Sequence, residues 1–577
     1  MRRDERDVHG GLGKEQVSRV KRGTRCPGHP ISKAGIAGWK ACSTGEKSAV
    51  HSVCWVHYFG VEVWVRGRVC NCLFVLSILL DGPAHGQAQQ SASWKPNVPK
   101  TWDETALAEW ATPVAGLNVR PTHITAKEFY SLPVENLRTY PVYLPDREPP
   151  GYWEMLQKVG PRPLIEPDKL VTESDWIQAG QRVFEELDHF PLRTLDAKLI
   201  SAARSGDTFD PSRTTVLPDG TVVGMRWVPT GAGVALSFTN CANCHVAYLV
   251  DGRRIVGAPT FAGRRTAVAP LLFAVHDANH LAPAAIPIRM GDEPFGMRLY
   301  RAYGVPWAKD DIHERMKTMT PADFIAWSAA SDRGGDIPRW NGSLFYPTKV
   351  PDLIGVQERK YLDATATHLN RGIGDLMRYA ALVSSAEATE FGAYHLLPAG
   401  ASRVRARLSD EALYAMALYI SSLRPPPNPN PQNEKSREGE KIFQREGCPM
   451  CHTPPLYTSN KVTLARGFSP PADAPKTLDI LPLSVGTDPS LALHTRKGTG
   501  YYKVPSLKGV WYRGHYLHDG SLASLEEMFN PDRLSDDHVP GGWSPPDTKS
   551  RAVRGHEFGL KLSPSDRERL IAFLRTL

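Results

Sequence analysis

Apolar residues recur three and four positions apart along four stretches of the chain, and these stretches fall into two similar pairs. In "ESDWIQAGQRVFEEL" Gly180 and Phe184 lie four apart on one helical face, as do Gly439 and Phe443 in "SREGEKIFQREGCPMCH". Both patterns predict a helix, the second ended by Gly447 just before Cys448. "LSDEALYAMALYISSLR" (Leu408–Arg424) and "LSPSDRERLIAFLRTL" (Leu562–Leu577) each begin Leu-Ser, with the serine in N-cap position. Pro564 then takes the first helical position, where its missing N–H is harmless. Asn370–Thr389 and "EPFGMRLYRAYGVPW" also read as helices. "DGTVVGMRW" and "VAYLVDGRRIVGA" read as short hairpins around Asp-Gly turns.

This order predicts one module written twice, over 165–424 and 434–577, the first copy carrying large insertions. Between them, residues 425–433 form a stiff, Pro-rich, non-helical linker. Residues 89–164, rich in Pro and Trp, read as an extended N-terminal wrap. The expected fold class is mainly α, with two similar domains packed together, long loops and a few short strands. A chain of 577 residues is long enough for two or three domains.

The net charge of +8 points toward a polyanion partner, but its distribution removes that reading. Residues 1–86 hold 13 Lys+Arg and 7 Asp+Glu, leaving 69−13=56 against 61−7=54, a net of +2. No nucleic-acid partner is expected. Arg66 and Arg68, the apolar run Val69–Leu80 and the small residues after it read as a secretory signal peptide. Cleavage after Gly86 or Ala88 fits, and the apolar run is too short for a comfortable membrane span. Residues 1–88 are therefore expected to be a leader with a spurious N-terminal extension, translation starting near residues 61–68. The expected location is periplasmic or secreted, with no stable membrane span in the mature protein.

Cysteine usage sharpens this picture. Five of nine cysteines lie in the leader; the other four form "CANCH" (Cys241, Cys244, His245) and "CPMCH" (Cys448, Cys451, His452). An oxidising compartment pairs idle thiols into disulfides, so four thiols arranged only this way point to another covalent fate. Cys-x-x-Cys-His is the pattern of covalent haem attachment: two thiols form thioethers and the adjacent His ligates the iron. A four-cysteine zinc site and a thioredoxin-like redox pair are the alternatives, but neither requires His after both pairs. No Walker motif, Gly-x-Ser-x-Gly or phosphate-binding glycine loop is present. Two covalent haem c groups are expected.

"REGEKIFQREGCPMCH" resembles the start of a class I cytochrome c domain, and Tyr501–Leu534 resembles the C-terminal module of the bacterial di-haem cytochrome c peroxidase superfamily. "VRGHEFGLKLS" and the wide haem spacing (452−245=207) look most like rubber oxygenase. The resemblance implies two mainly α-helical, cytochrome c-like haem domains packed face to face. It also implies His556 as the sixth ligand opposite His452, where peroxidases use a methionine. His518 in "LHDGS" is read as a pocket residue, and Met528 is the module's one methionine besides Met450. Two imidazoles give a lower potential than a His/Met pair.

For the first haem the expectation is His245 below and an open or weakly held position above, with His276 and His280 as weaker candidates. An open position binds peroxide or O₂; two strong ligands leave only electron transfer. The implied inter-haem Trp is missing, leaving Tyr361 or Trp340 as stand-ins, and Asp375 is the weak candidate for the distal acid. The resemblance also implies an inter-haem calcium ion, with Asn341 and the backbone near Val504–Pro505 as its ligands. Partners are then a redox partner protein or a small-molecule oxidant or substrate. A pure electron carrier, with both irons six-coordinate, is the rival reading.

Overall fold

The computed structural model describes residues 94–110, 125–188, 193–206, 215–237, 240–249, 252–260, 345–384, 390–391, 394–395, 406–470, 478–494 and 499–577, with four positions between 323 and 330. The expected leader, the helix expected over "EPFGMRLYRAYGVPW", and Arg333–Gly342 lie outside the described residues. Residues 89–577 cluster as one compact unit.

The two helix pairs form where their periodicity places them. The first opening helix, Glu173–Glu186, starts with a reciprocal capping box between Thr172 and Asp175. The second, Glu434–Arg445, starts with one between Asn433 and Ser436. The closing helices Asp410–Ser422 and Pro564–Arg575 are capped by Ser409 and Ser563, whose hydroxyls accept from the backbone N–H of Ala412 and Asp566. Each opening helix crosses its closing helix at a glycine. A Cβ on Gly180 would meet the Ala415 carbonyl oxygen at 1.9 Å, and one on Gly439 would meet that of Arg569 at 1.9 Å. Phe184 then packs on Tyr419 (5.6 Å between ring centres) and Phe443 on Phe573 (5.3 Å). The same backbone approach is thus used in both copies.

Among the described residues the architecture is mixed α and β, which corrects the expectation of a mainly α chain. A four-stranded antiparallel sheet runs Tyr140–Tyr143, Thr221–Thr230, Gly233–Ser237, Arg193–Thr194. Its core is Val142, Val222, Trp227 and Leu236, backed by Leu156 and Ala203 from the helices Tyr152–Val159 and Ala197–Ser205. The sequence shows the Asp-Gly turn that precedes Thr221, and Thr221–Thr230 pairs locally with Gly233–Ser237, but its other partner Tyr140–Tyr143 lies about eighty residues away, so no local pattern reveals the whole sheet. The hairpin Val246–Tyr248/Arg254–Val256 forms as expected. A smaller sheet of Val462–Leu464, Ile480–Leu481 and Tyr501–Lys503 lies beside the second motif.

Among the described residues of 89–164 there are three α-helices as well as extended chain. Trp102, Trp110 and Phe129 are fully buried in the same core as both first-copy helices, Trp102 stacking on Phe129 at 4.8 Å. The linker 425–433 is free of helix and strand. No described helix is long and apolar enough to cross a membrane.

Candidate functional site

The second motif begins where the opening helix ends. Gly447 has φ +72°, a left-handed conformation that reverses the chain into a short 3-10 turn, Cys448–Met450. The N–H groups of Cys451 and His452 both donate to the Cys448 carbonyl, at 3.2 and 2.9 Å. The turn brings Cys448, Cys451 and His452 to the wall of one cavity of about 350 Å³. Its other walls include Phe443, Leu507, Val510, Leu525, Phe529 and Leu574.

His452 is oriented from behind. Its Nδ1 lies 3.1 Å from the Pro505 carbonyl and 3.2 Å from that of Tyr457. A carbonyl only accepts, so Nδ1 carries the proton and Nε2 keeps its lone pair. His556, more than a hundred residues downstream, lines the same cavity, its ring centre 6.3 Å from that of His452 and tilted by 54°. Metal–nitrogen bonds are about 2 Å, and a ring centre lies about 1 Å behind its nitrogen, so two imidazoles facing one metal have centres about 6 Å apart. Burial pulls both imidazoles down, each to about 4, so both are uncharged at neutral pH, as metal ligation requires.

The His556 loop is held by an unusual clamp. His556 has φ +49°, and its N–H donates to the Val485 carbonyl at 2.5 Å. Arg533, fully buried, donates to the carbonyls of Gly555 and His556 at 2.9 Å each, to that of Met528 at 3.0 Å, and to that of Val553. The structure thus brings His556, the residue expected opposite His452, to face it across the cavity. Met528 lines the cavity and belongs to the apolar core around it.

His518 is engaged elsewhere, in keeping with a pocket role. It stacks on Tyr502 at 4.3 Å, with Nε2 3.2 Å from the tyrosine oxygen. The Tyr502 hydroxyl gives its proton to the Asp488 carbonyl at 2.8 Å, so His518 Nε2 is the donor in that contact.

The first motif repeats the arrangement. Cys241–His245 is one helical turn capped by Asn240, and His245 Nδ1 lies 3.0 Å from the Pro351 carbonyl. A proline carbonyl thus fixes each motif histidine. Cys241 Sγ lies 3.9 Å from Met416 Sδ on the first closing helix. His276, His280, Trp340 and Asn341 lie outside the described residues. Tyr361 is buried and lines the 350 Å³ cavity. Asp375, the candidate distal acid, is buried between two guanidinium groups, Arg371 at 2.8 Å and Arg378 at 2.5 Å.

The residues around the cavity fit a covalently attached porphyrin: two thiols, two neutral imidazoles across a metal-sized gap, apolar walls, and a buried His556 Nδ1 without a hydrogen-bond partner. Of the expected calcium site only the backbone near Val504–Pro505 is described. The Val504 carbonyl accepts from the Thr458 hydroxyl at 2.7 Å, and that of Pro505 accepts from His452. The neighbouring side chains there are the cations Lys503 and Arg513. Among the described residues no cluster of three or more His, Cys, Asp or Glu could hold a metal ion.

No protein-family model matches the chain, and no curated protein matches it either. A hydrazine synthase from Kuenenia stuttgartiensis, solved under 20 bar xenon, overlays on 40% of this chain and 72% of its own, at 15% identity and TM-score 0.22. A MauG-like protein associated with microbial copper homeostasis covers 29% of this chain and 56% of its own, at 17% identity and TM-score 0.19. At these scores the likeness settles neither fold nor chemistry.

Sequence reasoning missed Arg533, Lys349, Lys503 and Arg513. Nothing in a sequence separates a buried cation from a solvated one, although three of the four lie inside the stretch that carries the family resemblance.

Proposed function

We propose that the chain is a secreted or periplasmic di-haem c-type cytochrome acting in oxidoreduction, built from two haem-binding modules over 165–424 and 434–577. The observation that carries the reading is the His452–His556 pair, 6.3 Å between ring centres, facing a cavity that two Cys-x-x-Cys thiols also line. Bound haem supplies electron transfer and, where the sixth iron position is open, binding of O₂ or a peroxide. Cys448 and Cys451 would anchor the second haem, and His452 and His556 would ligate its iron. This centre exchanges electrons with a redox partner protein. Cys241, Cys244 and His245 would hold the first haem, which would supply the site for the oxidant. The reaction class is reduction of a peroxide or oxygenation of an apolar substrate.

The test is resonance Raman and EPR spectroscopy of the ferric protein, with CO binding after reduction. One low-spin, CO-inert haem and one CO-binding haem are expected, with two haems of added mass on the exported chain. Two low-spin, ligand-inert irons would leave only an electron carrier. Unmodified thiols at all four positions would end the haem reading altogether.

A further inference from the structure

Three cations line the cavity that His452 and His556 face: Lys349, Lys503 and Arg513. Among the described residues none of them forms an ion pair with a carboxylate. Asp352 favours the charged forms of Lys349 and Arg513 from a distance, and Asp363 that of Lys503, but both acids are engaged with other partners. Asp352 pairs with Arg359 at 3.4 Å and accepts from Tyr512 at 3.3 Å. Asp363 accepts from Thr365 and Thr367 and lies 3.3 Å from His368 Nδ1.

The three cations bond only to neutral carbonyls. Lys349 Nζ donates to Gly514 (2.9 Å) and His515 (2.6 Å), Lys503 Nζ to Tyr361 (3.1 Å) and Leu362 (3.2 Å), and Arg513 to Ser506. Each ammonium keeps a third proton, and the guanidinium keeps further N–H groups. Burial, with Arg513 adding to it, pulls Lys349 down to about 7; burial, then Arg359, does the same to Lys503. Three half-buried cations with no carboxylate in ion-pair contact are costly, and a carboxylate brought among them lowers that cost.

We propose that Lys349, Lys503 and Arg513 form a carboxylate-binding wall for the propionate groups of the haem anchored at Cys448 and Cys451. The inference rests on the haem reading above. Fixed positive charge beside an iron favours its reduced, less positive state, so the wall raises the midpoint potential that two imidazoles lower.

The experiment uses the haem-loaded protein and the variants Lys349→Met, Lys503→Met and Arg513→Gln, with Lys349→Arg and Lys503→Arg keeping the charge. The readouts are the midpoint potential of the six-coordinate haem and its propionate bending band in resonance Raman spectra. Each charge-removing variant should lower that potential and shift that band, leaving the other haem unchanged, while the arginine variants stay close to the parent. Unchanged band and potential in all three charge-removing variants would overturn the proposal. If these variants fail to load haem, the two arginine variants must still load it; their failure would also overturn the proposal. A parent protein without haem at Cys448 and Cys451 would sink the underlying reading instead, which its mass shows before any variant is made.

Discussion

His556 and Arg533 show how much one residue is asked to do in this site. A non-glycine residue at φ +49° is held against its preference, here by Arg533 and the Val485 carbonyl. His556→Ala should convert the second haem from low-spin to high-spin and make it bind CO. His556→Met should keep it low-spin and raise its midpoint potential, because a thioether stabilises the reduced iron. Arg533→Met leaves buried carbonyls without their donor, each worth about 1–3 kcal/mol. The variant should lose several kcal/mol in chemical denaturation and show a mixed-spin second haem. Asp375 offers a pH test. Burial raises its carboxyl pKa, but the hydrogen bonds of Arg371 and Arg378 outweigh burial and hold it below the usual value. Its stabilising effect is therefore present above about pH 4 and is lost as pH falls through the depressed value. Denaturation midpoints of the parent and Asp375→Asn should differ at pH 7 and converge in acid.

At the scale of elements, the two helix pairs carry the repeat. Gly180 and Gly439 occupy equivalent points, each with a carbonyl where a Cβ would stand. Gly180→Ala and Gly439→Ala should each cost on the order of 2–3 kcal/mol, read by denaturant titration. If the copies are equivalent, the two losses should be similar. The helices, their serine caps and the Gly447 turn were legible because local periodicity and capping chemistry determine them. The four-stranded sheet was not, since Tyr140–Tyr143 finds its partner Thr221–Thr230 only through tertiary folding. The proline carbonyls behind His245 and His452 were equally hidden, lying 106 and 53 residues from the histidines they orient.

For the whole molecule, the second site is assembled from segments around 349, 448–452, 503–518 and 556, so its integrity reports on the packing of both copies. Lys503 N–H donates to the Ala364 carbonyl at 3.0 Å, and the Thr499 hydroxyl donates to that of Thr365 at 2.5 Å, tying residues 364–365 to the 499–503 segment. Lys503 and Arg513 line the cavity beside Val504–Pro505, and their positive charge disfavours a divalent cation there, so chelation with EGTA should leave the thermal midpoint and both haem spectra unchanged. A fall in either on chelation, restored by calcium, would return the metal to the site.

The sequence by itself determined the chemistry the chain can carry: four thiols reserved for two Cys-x-x-Cys-His turns, a duplicated helix pair around them, and His556 as the candidate opposite His452. These are local properties, set by spacing, caps and turns within a few residues. Only the tertiary structure decided that His556 meets His452 across a metal-sized gap and that Arg533 holds it there. The same is true of the three cations that share one wall. Each depends on distances between segments far apart along the chain, which packing of the core decides and no local pattern encodes.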